Sequence, residues 1–242
     1  MSKWTDTWDK KQASLGNRII SIHKGQRFLN CLTIAERGYG KSMYHLLTMA
    51  YVYYHLIEKN ETDAWRFALD NMLFLPSQLE DKIDYNEEHN ECSIVWCLDD
   101  AAVHFSNKLW WTDQAEAILL EGIFDLIRPV VSCTLINCPD KHRLLGSLQN
   151  YYGYEETIYI DNGGGYDRTV TGIHWYRRPS GDKRWRKEWN DTFSCYVPTW
   201  IYNEYKEIRK NYVRIIRMKL KERRDKQHMK QDKIHKKKTK IS

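Results

Sequence analysis

Apolar positions fall into two kinds of run along this chain. Mainly apolar stretches at 29–35, 93–98 and 130–136 are short and rich in Val, Ile, Leu and Cys. Such runs predict strands buried on both faces, as in a parallel sheet. Longer segments carry helical spacing. Lys41 to about Glu58 is apolar nearly all round and predicts a buried helix. Asn60 is a candidate N-cap for a helix over 61–70. The segment 71–75 predicts a short strand, or a continuation of that helix, and Pro76 opens a further helix to about Ile83. The polar run 84–91 predicts a loop. In 112–128, Ala115, Ile118, Leu119, Gly122, Ile123 and Leu126 recur at i, i+3, i+4, i+7 and predict one sheet-facing helix face. From Glu155 the period changes to two: 157–160 and 169–176 alternate around an Asn-Gly-Gly-Gly turn, and 185–196 extends the meander. Pro198 starts a last helix, whose Ile201, Tyr205, Ile208, Tyr212 and Ile215 predict a core-packed first half; past Met218 a solvated helix fraying into disorder is expected. The residues before 29 offer one apolar piece, Ile19-Ile20-Ser21-Ile22, suited to an edge strand or a small lid. The pattern predicts an α/β fold with a mainly parallel central sheet. Its expected divisions are an N-terminal extension (1–28), a core (29–153), a β-meander completing the core (154–205) and a basic helical arm (206–242).

The first strand runs into Glu36-Arg37-Gly38-Tyr39-Gly40-Lys41-Ser42 and then a helix. That order places backbone N–H groups of a tight turn, and the positive end of a helix, around one point where phosphate oxygens bind. Arg37, Gly38, Tyr39, Gly40, Lys41 and Ser42 are the candidate phosphate-binding residues. Lys41 is expected on the β- and γ-phosphates and Ser42 on Mg²⁺. The usual motif has Gly where this chain has Ala35, so the loop is a variant.

The strand 93–98 ends in Asp99-Asp100. A buried strand that delivers two carboxylates at its end suits metal-assisted hydrolysis: Asp99 for the Mg²⁺ shell, Asp100 for polarising the attacking water. Glu is usual in the second place, and Asp100 is shorter. Asn137 ends the next strand, where it either caps the next helix or stands at the position that a resemblance to ATPases would make the γ-phosphate sensor. Arg128 precedes Pro129. It either complements the helix dipole or serves as an arginine finger in a neighbouring subunit's site.

With these motifs in view, the chain resembles P-loop ATPases of the additional-strand class, in which a strand lies between the phosphate-loop strand and the acid-bearing strand. More narrowly it looks like the small RecA/FtsK-like DNA motors of viruses and plasmids, archaeal ones in particular. The resemblance spans about residues 27–150. It implies a three-layer P-loop fold, ATP and Mg²⁺ as cofactors, and hydrolysis by a homo-oligomer, a ring being one form, coupled to movement on DNA.

Charge adds a partner. Residues 206–242 hold 16 Lys or Arg against 4 Asp or Glu, while the rest of the 38 basic and 32 acidic residues leaves 1–205 mildly acidic. A basic arm favours polyanions, double-stranded DNA first. Arg177, Arg178, Arg184 and Arg186 interleave with Trp175, Tyr176, Trp185 and Trp189, a pattern that fits either a nucleic-acid surface or cation–π packing. Arg223 and Arg224 are the arm's candidate contacts. No apolar run reaches the roughly 18 residues of a membrane span. The N-terminus lacks a signal peptide's apolar segment, so a cytoplasmic location is expected, that of the host if the source is viral. The six cysteines show no Cys-x-x-Cys spacing and read as reduced core thiols. Three functions compete: a DNA-directed ATPase, a non-hydrolysing nucleotide-regulated DNA-binding or scaffold protein, and a small-molecule kinase, the last disfavoured because 62–85 offers few Arg for a lid.

Overall fold

The short apolar runs become the strands of one sheet. A computed structural model describes residues 13–57, 60–108, 111, 113–145, 148, 156–161 and 167–238. In chain order the elements are α1 (Ser14–Lys24), β1 (Leu29–Ile34), α2 (Lys41–Leu56), α3 (Glu61–Asp70), β2 (Met72–Leu73) and α4 (Pro76–His89). After these come β3 (Ser93–Leu98), a 3-10 turn (Ala101–Val103), α5 (Gln114–Leu126), β4 (Val131–Cys138), a second 3-10 turn (Lys141–Arg143), β5 (Glu156–Asp161), β6 (Asp167–Arg177), β7 (Lys183–Ser194) and α6 (Thr199–Lys238). Two compact units divide the chain, Met1–Ile201 and Tyr202–Ser242. The first holds the sheet. The second is the continuation of α6, helical to Lys238, where the sequence predicts fraying into disorder past Met218.

The seven strands lie in the order β2-β3-β4-β1-β5-β6-β7. The first five run parallel, and β6 and β7 fold back as antiparallel neighbours of β5. β4 sits between β1, which leads into the Gly-Lys-Ser loop, and β3, which ends at Asp99. Its register brings Asn137 opposite Thr33 and Ile136 opposite Leu98, so all three strands finish at one sheet edge. Successive side chains point to opposite faces. Thr33 meets His45 of α2 on one face. On the other, Leu32 joins a core with Leu79 of α4, Leu120 and Phe124 of α5, Trp96 and Leu98. The sheet is thus covered by helices on both sides.

Four local expectations differ from the structure. Ile19 to Ile22 lie in helix α1, because Leu15, Ile19 and Ile22 recur at helical spacing and bury one stripe. α4 continues through 84–89, predicted as loop; nothing breaks the helix before Asn90, which caps it at φ 51°. Within that run Asn86 is buried and donates to Val130 O (2.7 Å) and Ser93 Oγ (2.8 Å), tying α4 to the sheet. α5 starts later, with Asp113 accepting from Glu116 N, and ends at Leu126. It also presents the other face: Ala117, Leu120 and Phe124 are buried, whereas Ile118, Leu119 and Leu126 are exposed. Two apolar stripes compete on this helix, and sequence spacing does not rank them. The turn over 163–165 lies outside the described residues.

Candidate functional site

The edge where β1, β3 and β4 end is built from residues far apart in sequence. Gly38 and Gly40 hold φ of 86° and 85°, the left-handed region that residues with a Cβ rarely enter. Gly40 is also closely packed, since a Cβ there would lie 2.5 Å from Cys195 Sγ and 3.3 Å from Phe193. Gly38 faces open space. These angles turn the chain from Ile34 into α2, whose first residue is Lys41. Arg37 is exposed, and Tyr39 stands beside Glu36, whose charge raises the phenol pKa. The Lys41 ammonium donates to Ala35 O (2.7 Å) and Glu36 O (3.0 Å), folding back across the loop.

Ser42, one residue further, donates to both oxygens of Asp99 at 2.8 and 3.0 Å. Asn137 Nδ2 donates to Asp99 Oδ1 at 2.8 Å. Asp99 and Asn137 are 3 % and 2 % exposed, so the carboxylate is held by two neutral donors in a largely dry setting. Ser42, Asp99 and Asn137 therefore converge, as the strand pattern predicts, and Lys41 belongs to the same loop. Asn137 Oδ1 is buried with no hydrogen-bond partner among the described residues. Asp100 follows Asp99 at φ 51°, ψ 36°, and leads into the 3-10 turn.

Beneath this cluster is a layer that sequence spacing does not reveal. His45 is fully buried; its Nε2 lies 2.8 Å from Thr33 Oγ1 and its Nδ1 3.2 Å from Cys97 Sγ. Burial first, and the nearby Lys41 charge second, push the imidazole pKa down to about 3. The ring is neutral at any pH near 7. Burial, with Asp99 next, pushes the Cys97 thiol up, so it too is uncharged. A second support comes from the end of β7. Asp191, 3 % exposed, accepts from Tyr44 Oη (2.8 Å), Ser14 N (2.9 Å) and Leu15 N (3.4 Å). Phe193 packs on Tyr44 with ring centroids 4.9 Å apart. Tyr44 and Asp191 are 147 residues apart, and a lone Asp between Asn190 and Thr192 carries no signal for this role.

The remaining predicted residues are elsewhere. Arg128 leaves α5 at the opposite sheet edge, with its guanidinium 5.6 Å from the Phe28 ring centre. It does not join the Ser42–Asp99 cluster of its own chain. Arg178, Arg184 and Arg186 are exposed on and beside the β6–β7 hairpin, whose turn protrudes from that same opposite edge. Arg177 ends β6, and Arg186 donates to Glu188 at 2.8 Å. Trp185 and Tyr176 on this hairpin are 60 % and 39 % exposed. Arg223 and Arg224 lie on α6, in the second unit. All six cysteines are free. Among the described residues no group of three or more His, Cys, Asp or Glu gathers around one point, and no helix is long and apolar enough to cross a membrane.

No family model matches the chain. It is 26% identical over 210 residues to the uncharacterized protein B-251 of Sulfolobus spindle-shape virus 1; the match covers 82% of this chain and 80% of that protein. This similarity sets the chain beside a protein of an archaeal virus.

Proposed function

We propose that this protein is a Mg²⁺-dependent P-loop ATPase that works on nucleic acid. The observation that carries the reading is the convergence of Ser42, Asp99 and Asn137 within hydrogen-bond distance, beside a Lys41 loop whose glycines adopt φ near 85°. The position of β4 between β1 and β3 supports the additional-strand class over other α/β arrangements. The residues fit the ligands. Mg²⁺ in nucleotide chemistry takes one or two protein oxygens and completes its shell with phosphate and water; Ser42 Oγ and the Asp99 carboxylate are such a pair. The orphaned Asn137 Oδ1 is an acceptor awaiting a donor such as a water. A three-carboxylate cage is not needed for this chemistry.

The roles derive from position. The start of α2 and the loop N–H groups bind phosphate, with roughly +0.5 charge from the helix dipole. Lys41 exchanges two carbonyl oxygens for phosphate oxygens, so that its charged donor meets charged rather than neutral acceptors. Asp99 orients Ser42, and Asn137 holds Asp99 in one rotamer. Asp100, next to the cluster, is the candidate for orienting the attacking water. Ser42 and Asp99 would hold Mg²⁺, which would supply neutralisation of the phosphate charge. The basic hairpin and the arm of α6 each offer basic residues to a polyanion, and the process served is DNA translocation, packaging or transfer by a homo-oligomer.

A non-hydrolysing, nucleotide-regulated DNA-binding or scaffold role is the second reading. It is favoured by Asp100, a short carboxylate on a left-handed backbone, and by Ala35 in place of Gly. Phosphate release from ATP, with and without duplex DNA, separates the two. The ATPase reading expects Mg²⁺-dependent turnover that DNA stimulates and that Lys41→Ala and Asp100→Asn each abolish. Turnover equal to wild type in both variants overturns it; ATP binding with no turnover selects the second reading.

A further inference from the structure

A cavity of about 420 Å³ opens at the sheet edge opposite the Gly-Lys-Ser loop. Arg18 and Ser21 of α1, Arg27 and Phe28 of the α1–β1 connection, Arg128 and His174 line it. Its place is set by the topology: Phe28 precedes β1, Arg128 lies just before β4, and Ser93 N at the start of β3 donates to Val130 O. None of these residues belongs to the Ser42–Asp99 cluster.

The charges in this cavity are not equivalent. Arg18 is paired with Glu156, a carboxylate with no exposed surface, and so is neutralised within the fold. Among the described residues the Arg27 guanidinium reaches only the Ser21 hydroxyl, at 3.5 Å. Arg128 rests over Phe28, a cation–π contact that fixes the guanidinium without cancelling its charge. Among the described residues neither Arg27 nor Arg128 forms an ion pair. Two uncompensated guanidiniums, a hydroxyl and an imidazole thus face one space. Guanidinium forks match the oxygen geometry of phosphate.

The cavity does not stand alone. In the sheet Glu156 pairs with His174 and His174 with Arg186, so these side chains share a face; Arg184 stands opposite Tyr176 further along the hairpin. Arg184, and Arg186 with its Glu188 partner, therefore continue from the cavity along this face of the hairpin, where Tyr176 is exposed; Trp185 lies on the other face. A free anion needs one pocket; a polyanion with repeating backbone phosphates uses the pocket and the track.

We infer that this cavity holds a backbone phosphate of duplex DNA, which lies across the edge opposite the nucleotide loop. The inference rests on the nucleic-acid partner proposed above and gives Arg128 a ligand in its own chain. The test is fluorescence anisotropy of a labelled duplex with full-length protein over a salt series, for wild type, Arg27→Gln, Arg128→Gln, Arg128→Lys and Arg184→Gln. Each cavity Gln variant should lose about one phosphate contact, which makes the slope of log K against log salt shallower by roughly 0.9 and weakens binding about tenfold near 0.1 M salt. Arg128→Lys should keep most of the slope. Urea unfolding of each variant guards against misfolding. Wild-type slopes in both cavity Gln variants, with Arg184→Gln weakened, overturn the cavity site and leave the nucleic-acid reading standing. No duplex binding by wild type removes both. Binding of inorganic phosphate that Arg128→Gln abolishes, with no displacement of duplex and no change in duplex binding, makes this a free-anion site and overturns the inference. Loss of ATP turnover in Arg128→Gln with duplex binding intact makes Arg128 a finger and also overturns it.

Discussion

Replacing Gly40 by Ala tests the packing that shapes the Gly-Lys-Ser loop. Two costs add. A residue with a Cβ at φ 85° carries about 1–2 kcal/mol of left-handed strain. The new Cβ also lies 2.5 Å from Cys195 Sγ, well inside van der Waals contact, so the end of β7 or the loop must move. Overpacking of this kind costs about 1–3 kcal/mol. The sum, roughly 2–5 kcal/mol, is a large share of a domain's stability. Cys195→Ala removes the sulfur and leaves Phe193 at 3.3 and 3.4 Å, which a shift of a few tenths of an ångström relieves. The double variant should therefore recover the overpacking part, about 1–3 kcal/mol, and keep the backbone part. Equilibrium urea unfolding of the four proteins gives the coupling directly. Additivity to within about 0.5 kcal/mol refutes the Gly40–Cys195 contact as a determinant of loop shape.

His45 links stability to pH. Its pKa is about 3 in the folded protein against 6.5 for a solvated ring, so the unfolded chain binds the extra proton between those values. Stability is complete above pH 6.5 and falls as pH drops through that window, by about 2 kcal/mol at pH 5. His45→Asn should lose that much less than wild type between about pH 7.5 and 5 in urea titrations; equal losses would show that the ring is solvated. Arg18→Met leaves the Glu156 carboxylate buried without its cation and should cost about 3–5 kcal/mol. Glu156→Gln in the same chain should return most of this in the same measurement, and a failure to do so would mean the pair contributes little.

The candidate site is legible in the sequence where its parts are consecutive. The Gly-Lys-Ser turn needs neighbouring residues with special backbone angles, and a strand end needs only an apolar run followed by a polar residue. Asp99 and Asn137 are therefore assigned to strand ends by their local context alone, and the short strand before Pro76 corresponds to β2 (Met72–Leu73). The buried face of α5 escapes spacing arguments because Ala117, Leu120 and Phe124 recur with the same helical period as Ile118, Leu119 and Leu126. The 84–89 segment escapes them because a solvated helix and a loop share polar composition; only the burial of Asn86 separates the two.

By itself the sequence determined the α/β character, the buried parallel strands, the Gly-Lys-Ser turn between the first strand and its helix, and the uneven charge, since each depends on local chemistry or on composition. The strand order that inserts β4 between β1 and β3 follows from no local pattern; the resemblance alone implied it, and the tertiary structure decided it. Tertiary structure alone placed His45 and Asp191 as supports of the loop, Cys195 against Gly40, and Arg128 with Arg27 at the far edge. Most of these contacts join segments tens of residues or more apart. Which of them form is set by how the whole core closes, and no window of sequence contains that information.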